Sequence, residues 1–177
     1  MMKNLTYLVL GVVSMLLVQA CHERRNKNYN KEILVDAKGL KFLKDGMEDC
    51  LTDVKASGVA ITNSSNQRVI RFAKMIIDDH TQAENELKKI ENDKWVDEKD
   101  TINVVHQEII DDLSQKTGRS FDKAYLKMME ADHEKTIKLL ASAMANNEEE
   151  IKSFKKKTLP TIQMHLDSAK AILVSLK

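Results

Sequence analysis

The sequence predicts an all-α protein, a bundle of four long helices with one short helix between the second and third. Three observations carry this reading. Apolar residues recur at alternating three- and four-residue spacing over long stretches, which is the period of one helix face. Only five Gly and one Pro interrupt 177 residues, so long helices are rarely broken. One stretch, Ala73–Leu87 (AKMIIDDHTQAENEL), is written a second time as Leu126–Leu140 (LKMMEADHEKTIKLL). The two copies share a K-M-x-x-x-D-H core that ends in His80 and His133. In the first copy Val69, Phe72, Ala73, Ile76, His80, Ala83, Leu87 and Ile90 fall on one face. In the second, Leu126, Met129, His133, Ile137, Leu140 and Met144 do the same. Each histidine therefore stands inside an apolar stripe, not on the wet side of its helix.

Composition narrows the function classes. Apolar residues make up 42% and charged residues 31%, and the formal net charge is +1. With Lys3 of the leader set aside, 27 basic side chains face 27 acidic ones. No helix face gathers Lys and Arg, so no nucleic-acid partner is expected. Nothing in the sequence marks a serine or cysteine nucleophile or a phosphate-binding glycine loop.

Residues 1–20 are expected to be a leader outside the fold. They have a short basic start, an apolar run from Leu5 to Val18 and a small residue, Ala20, before Cys21. The run is short for a membrane-spanning helix and ends in a cleavage-like site. The V-Q-A-C ending resembles a bacterial lipobox, which would make Cys21 the acylated first residue of a mature lipoprotein. On that expectation the partner is a membrane reached through lipid, and the location is the cell envelope, at the outer membrane facing the periplasm. Residues 21–33, including the polar run HERRNKNYNK, form a tether. Residues 34–177 form the bundle domain. Cys50 is then left as a small buried hydrophobe.

The first helix is expected from about Leu34 to Thr62. Leu43, Met47, Cys50, Val54 and Ile61 make its apolar stripe. Beside it Gly46, Cys50, Asp53, Ser57 and Ala60 make a stripe of small residues that lets a neighbour approach. Asp53 on that stripe requires pairing, a bound ligand or a path to water. Asn63–Asn66 supplies a turn and caps, and the second helix runs to about Asn92. Asp79 and Asp132 each precede a stripe histidine by one residue, about 100° round the helix, and are expected on the flanks, solvated or in salt bridges, not as direct metal ligands. Residues 92–99 are a linker in which Trp95 is expected to plug the bundle end. The short helix, about Asp100 to Gln115, takes Ile102, Val105, Ile109 and Leu113 as its core face, with His106 at the border and outside any site. Gly118 is expected to end it and Ser120 to cap the fourth element, about Phe121 to Ala145. Asn146–Asn147 turns the chain into the last helix, about Glu148 to Leu176. There Ile151, Phe154, Ile162, His165, Ala169 and Ile172 share a face, and Pro160 is expected to kink the helix.

Counting from the turns, Asp53 lies roughly 16 Å, His80 roughly 24 Å, His133 roughly 20 Å and His165 roughly 27 Å along the respective helices. All four are mid-helix, so an up-down bundle brings them to one layer. Neutral imidazole suits zinc, copper, nickel or iron. The candidate metal ligands are His80, His133 and His165, with Asp53 or Glu130 completing the set.

Four blocks of the sequence resemble the bacterial domain-of-unknown-function 4142 family. Phe42, Leu43, Gly46, Asp53, Val54, Ser57 and Ala60 match its opening helix. Val69, Arg71, Phe72, Ala73, Ile76, Asp79 and His80 match its first D-H block, and Phe121, Asp122, Tyr125, Met129, Asp132 and His133 its second. Leu159, Pro160, His165 and Leu166 match the closing block. The resemblance implies an exported, ferritin-like up-down four-helix bundle. It does not imply ferritin chemistry. Asp53 stands where the family has Glu, and only Glu130-x-x-His133 has the form of a di-iron ligand pair, since Ile77 and Ile162 occupy the equivalent places before His80 and His165. Three expectations remain open: a metal-binding module, a structural or envelope-stress lipoprotein without metal, and a divergent metal-dependent oxidoreductase.

Overall fold

The computed structural model describes residues 33–142 and 148–176. The leader, Cys21, most of the tether, Met144 and the Asn146–Asn147 turn lie outside the described residues. The bundle falls within one unit, Leu34–Lys177. Its helices are α1 (Ala37–Asn63), α2 (Gln67–Asp93), α3 (Val104–Ser114), α4 (Gly118–Ser142) and α5 (Glu149–Ser175).

Local chemistry sets these boundaries. Asp36 caps α1 by accepting a hydrogen bond from Gly39 N at 2.7 Å. Asn66 caps α2 through Arg68 N at 2.9 Å, and Asn103 caps α3 through His106 N at 2.9 Å. Each satisfies one of the amide donors that the first turn leaves free. At the end of α2, Trp95 takes φ +58°. Trp95 N then bonds to Asn92 O at 3.2 Å and Val96 N to Glu91 O at 2.8 Å, the paired bonds of a Schellman ending. That ending corrects one expectation. Trp95 is turned outward and remains 43% exposed, while Val96, the next residue, is buried and joins the core.

The bundle is a square in which α1 packs on α2 and α4, and α5 packs on α2 and α4. Every neighbouring pair runs antiparallel. The Leu34 N to Lys94 O bond and the Lys94–Glu148 ion pair gather one end. Asn63, bonded to the carbonyls of Ser114 and Lys116, and Arg119, bonded to Leu176 O, gather the other. The connection from α2 to α4 therefore travels the length of the bundle, as in four-helix folds with one long crossover, and α3 lies along it against α1 and α4.

The phase of α3 differs from expectation. His106, Ile110 and Leu113 are buried, whereas Val105 is 63% and Ile109 37% exposed. The Asn103 cap fixes where the helix starts, and Glu48 of α1 accepts His106 Nδ1 at 2.6 Å. A charge-assisted bond of that length outweighs the small difference between two competing apolar stripes. On α1, Ile61 is likewise 39% exposed and Val54 only half-buried. The buried face follows the small stripe of Gly46, Cys50, Asp53, Ser57 and Ala60 instead. A Cβ on Gly46 would sit 3.3 Å from Leu87 Cδ1, so α1 and α2 meet closely there.

The apolar core is divided in two. One cluster contains Ala56, Ala60, Phe72, Ile76, Tyr125, Met129 and Ala169. The other contains Phe42, Met47, Cys50, Leu87, Leu140, Phe154 and Ile162. Along each long helix the break between the clusters falls on a polar residue: Asp53 on α1, His80 on α2, His133 on α4 and His165 on α5. All four are buried, with 0–2% of their surface exposed.

Candidate metal centre

The stripe positions on three different helices bring the histidines together. Ring centroids are 5.3 Å apart for His80–His133, 5.5 Å for His80–His165 and 5.3 Å for His133–His165. One nitrogen from each lies within 4.8 Å of the others.

Hydrogen bonds on the outer side fix two of the tautomers. His165 Nε2 donates to Asp79 Oδ2 at 2.8 Å, and a carboxylate only accepts. His133 Nδ1 donates to the Met129 carbonyl at 2.8 Å. With those protons placed, His165 Nδ1 and His133 Nε2 both carry lone pairs, and they face each other at 3.3 Å. A proton enters that gap only if one ring becomes an imidazolium. Burial opposes this: it lowers His165 against the help of Asp79. His133 is held at about 3, by burial first and by His165 second, despite the Met129 bond. Two nitrogens bound at about 2.0–2.1 Å to one tetrahedral ion stand about 3.3 Å apart, so the separation fits a shared metal.

His80 completes the trio. Neither of its nitrogens has a hydrogen-bond partner. Burial, with the two neighbouring histidines, holds it well below the usual imidazole range. Beside it, Asp53 Oδ2 is 3.5 Å from His80 Nδ1 and 3.9 Å from His133 Nδ1. Both Asp53 oxygens are also unpartnered. Burial, then the fields of Asp132 and Asp49, push the Asp53 carboxyl well above its ordinary range. Four orphaned polar atoms in one buried layer cost several kcal/mol without a partner. A cation held by the three histidines would give one His80 nitrogen a partner, and its charge would favour an ionised Asp53 beside it.

Of the residues singled out from sequence, His80, His133, His165 and Asp53 converge. Glu130 does not join them. Its side chain is one-third exposed and lies 3.8 Å from Lys170 Nζ on the bundle's flank. Asp79, expected on the flank either solvated or in an ion pair, is paired: it is the carboxylate that orients His165. A signal existed in the sequence: a residue 100° from an inward histidine points at the neighbouring helix, and that neighbour carries His165.

A second polar group was missed altogether. Glu48, Asp49 and His106 place ligand-type atoms within 4.8 Å of one another. Lys135 Nζ pairs with Asp49 Oδ1 at 2.8 Å, and Thr136 Oγ1 donates to Asp49 Oδ2 at 3.4 Å. Asp132 has an unpartnered buried Oδ2. Burial raises its carboxyl to about 6, with Asp49 adding to the rise and His106 and Lys135 opposing it.

No curated protein matches the sequence. Among solved structures, the chain is similar to the crystal structure of a DUF305 fragment from Deinococcus radiodurans. The TM-score is 0.73 and the identity 10%, over 80% of this chain and 98% of that one. At that identity the likeness shows a shared helical fold and nothing of its chemistry. The family described as a domain of unknown function, DUF4142, matches residues 29–172, which take in four helices and most of the fifth, so the chain belongs to the DUF4142 family.

Proposed function

We propose that this protein binds one transition-metal ion of the zinc or copper class at mid-bundle, through His133 Nε2, His165 Nδ1 and one nitrogen of His80. The observation that carries the reading is the pair of lone-pair nitrogens facing each other at 3.3 Å, each locked by an outward hydrogen bond. Metal-bound histidines are held in this way, by a carboxylate or a carbonyl on the far nitrogen. Asp79 stands behind His165 and the Met129 carbonyl behind His133. Asp53, on the Nδ1 side of His80, is placed to serve that ring and to balance the ion's charge once it has lost its proton. Three imidazoles with a single carboxylate nearby suit zinc or copper better than an oxygen-activating di-iron pair. The reading therefore stops at binding and assigns no turnover.

Titration of the untagged protein with Zn(II) and Cu(I) tests it. One ion per chain is expected, with binding lost in His133→Ala and His165→Ala and kept in His106→Ala. Binding should weaken as pH falls through about 6.5, because protons compete for the same nitrogens. A flat titration with both ions, in a folded protein, overturns the reading. It would leave the alternative of a structural bundle whose histidines only hydrogen-bond across the core.

We also propose that Cys21 is acylated and that the bundle is held at the envelope membrane by this lipid. The V-Q-A-C sequence after an apolar run supports it. Cys21→Ser should move the protein out of the detergent phase or leave it unprocessed. Equal partitioning of fully processed wild type and variant would overturn the anchor.

A further inference from the structure

We infer that a metal held by the three histidines keeps an open coordination position, and that a neutral diatomic molecule binds there from an adjoining apolar cavity. The inference rests on the metal-binding reading and extends it from storage of an ion to capture of a small ligand. The cavity is about 30 Å³, is lined by all four long helices and lies on the side of the layer that holds the Phe42–Leu140 cluster. His80 and His165 form its inner edge, Phe42, Ala83, Leu87, Leu140 and Phe154 are among its apolar lining, and Thr136, Thr158 and Thr161 border it.

Three features favour this occupant. First, the volume holds one molecule of water or diatomic size, since about 10–15 Å³ suffices for a single small molecule. Second, the wall disfavours water, which needs two to four polar partners to stay in a buried site. The carboxylates bordering the cavity are already engaged: Asp79 with His165 and Asp49 with Lys135. The unpartnered polar group on the edge is His80, which is 2% exposed and contributes a ligand to the proposed metal site. Third, the protein supplies three convergent nitrogens on one side. Asp53 lies on the Nδ1 side of His80 and His133, away from the His133 Nε2 that meets His165. Three protein ligands plus one free position is the pattern of a reactive metal site, whereas structural sites are closed by four.

The test uses the full chain loaded anaerobically with Cu(I), with carbon monoxide as probe and infrared spectroscopy as readout. A single C–O stretching band is expected, displaced by ¹³CO in proportion to the mass change. Ala83→Leu, which pushes a larger side chain into the cavity without touching a ligand, should abolish the band while the protein keeps one Cu(I) per chain. Ala83→Val serves the same purpose should the leucine variant fail to fold. One bound Cu(I) with no C–O band in the wild type would overturn this inference and leave the metal-binding reading standing. An undiminished band in a folded, copper-loaded Ala83 variant would overturn the cavity as the route. Failure to retain Cu(I) also overturns the inference, and failure to retain Zn(II) as well removes the metal site itself.

Discussion

Replacing His133 with leucine should change how the stability of the metal-free protein responds to pH. In the folded state His133 is held at about 3, against 6.5 for an unhindered imidazole. Between these values the unfolded chain binds a proton that the folded chain does not. Stability therefore rises with pH through this window and is lost on acidification. For this one group the loss reaches about 2 kcal/mol between pH 8 and pH 5, since each pH unit below 6.5 is worth about 1.4 kcal/mol. Neighbouring carboxyls work in the opposite direction. Asp53, Asp49 and Asp132 are all raised, so they favour the folded state at low pH and mask the histidine term in wild type alone. The difference between wild type and His133→Leu removes them to first order. Urea unfolding of both proteins at several pH values, with chelator present, gives that difference directly. Leucine should gain on the wild type by about 2 kcal/mol as pH falls from 8 to 5. Parallel stability curves would refute the claim that His133 is buried neutral.

Leu140→Ala should cost about 2–5 kcal/mol, because Leu140 is 1% exposed in the core cluster it shares with Phe42 and Leu87; urea unfolding at fixed pH measures it. Asp79→Asn should leave the helical circular dichroism intact and lower Zn(II) affinity roughly 10–100-fold, because it removes the carboxylate that orients His165. Tyr125→Phe should cost about 1–3 kcal/mol in the same unfolding assay, since its buried hydroxyl is 2.7 Å from Ser57 Oγ and the serine loses that partner.

The long helices and the histidine layer were legible because a period of 3.6 residues fixes both a helix and its buried face. Twenty-odd residues of consistent stripe leave little freedom in α2 and α4. The short α3 was different. In eleven residues the stripes Val105–Ile109 and His106–Ile110–Leu113 compete almost equally. The choice was made by Glu48, which is distant in sequence. Trp95 was misread for a related reason. Residue type suggested a plug, but the left-handed helix ending turns that position outward and offers Val96 to the core. Glu130 was chosen for its spacing from His133. Three residues amount to 300°, so the side chain falls about 60° to one side, far enough to meet Lys170 instead of the core.

The repeated K-M-x-x-x-D-H sequence makes the same point inside the site. α2 and α4 occupy opposite corners of the square, run in the same direction and each pack on α1 and α5. An approximate two-fold axis along the bundle therefore relates them and exchanges α1 with α5. Under it the two histidines enter the core alike, and the two aspartates turn the same way round their helices. Asp79 turns towards α5 and finds His165, a donor for which a carboxylate is the natural acceptor. Asp132 turns towards α1 and the crossover, where it finds Asp49, Glu48, Lys135 and His106. Burial there, with Asp49 and Glu48 adding to it and His106 and Lys135 opposing, pushes its carboxyl up to about 6, and no histidine of the layer lies behind it. The repeat thus specifies two inward histidines, and the non-repeated helices decide what lies behind them. On α5 the partner is a third histidine, which places the proposed metal site off the axis, towards α2, α4 and α5. An Asp53→His variant would put an imidazole at the α1 position equivalent to His165, in the same layer and beside Asp132, and a second Zn(II) equivalent bound by that variant alone would bear out the symmetry argument.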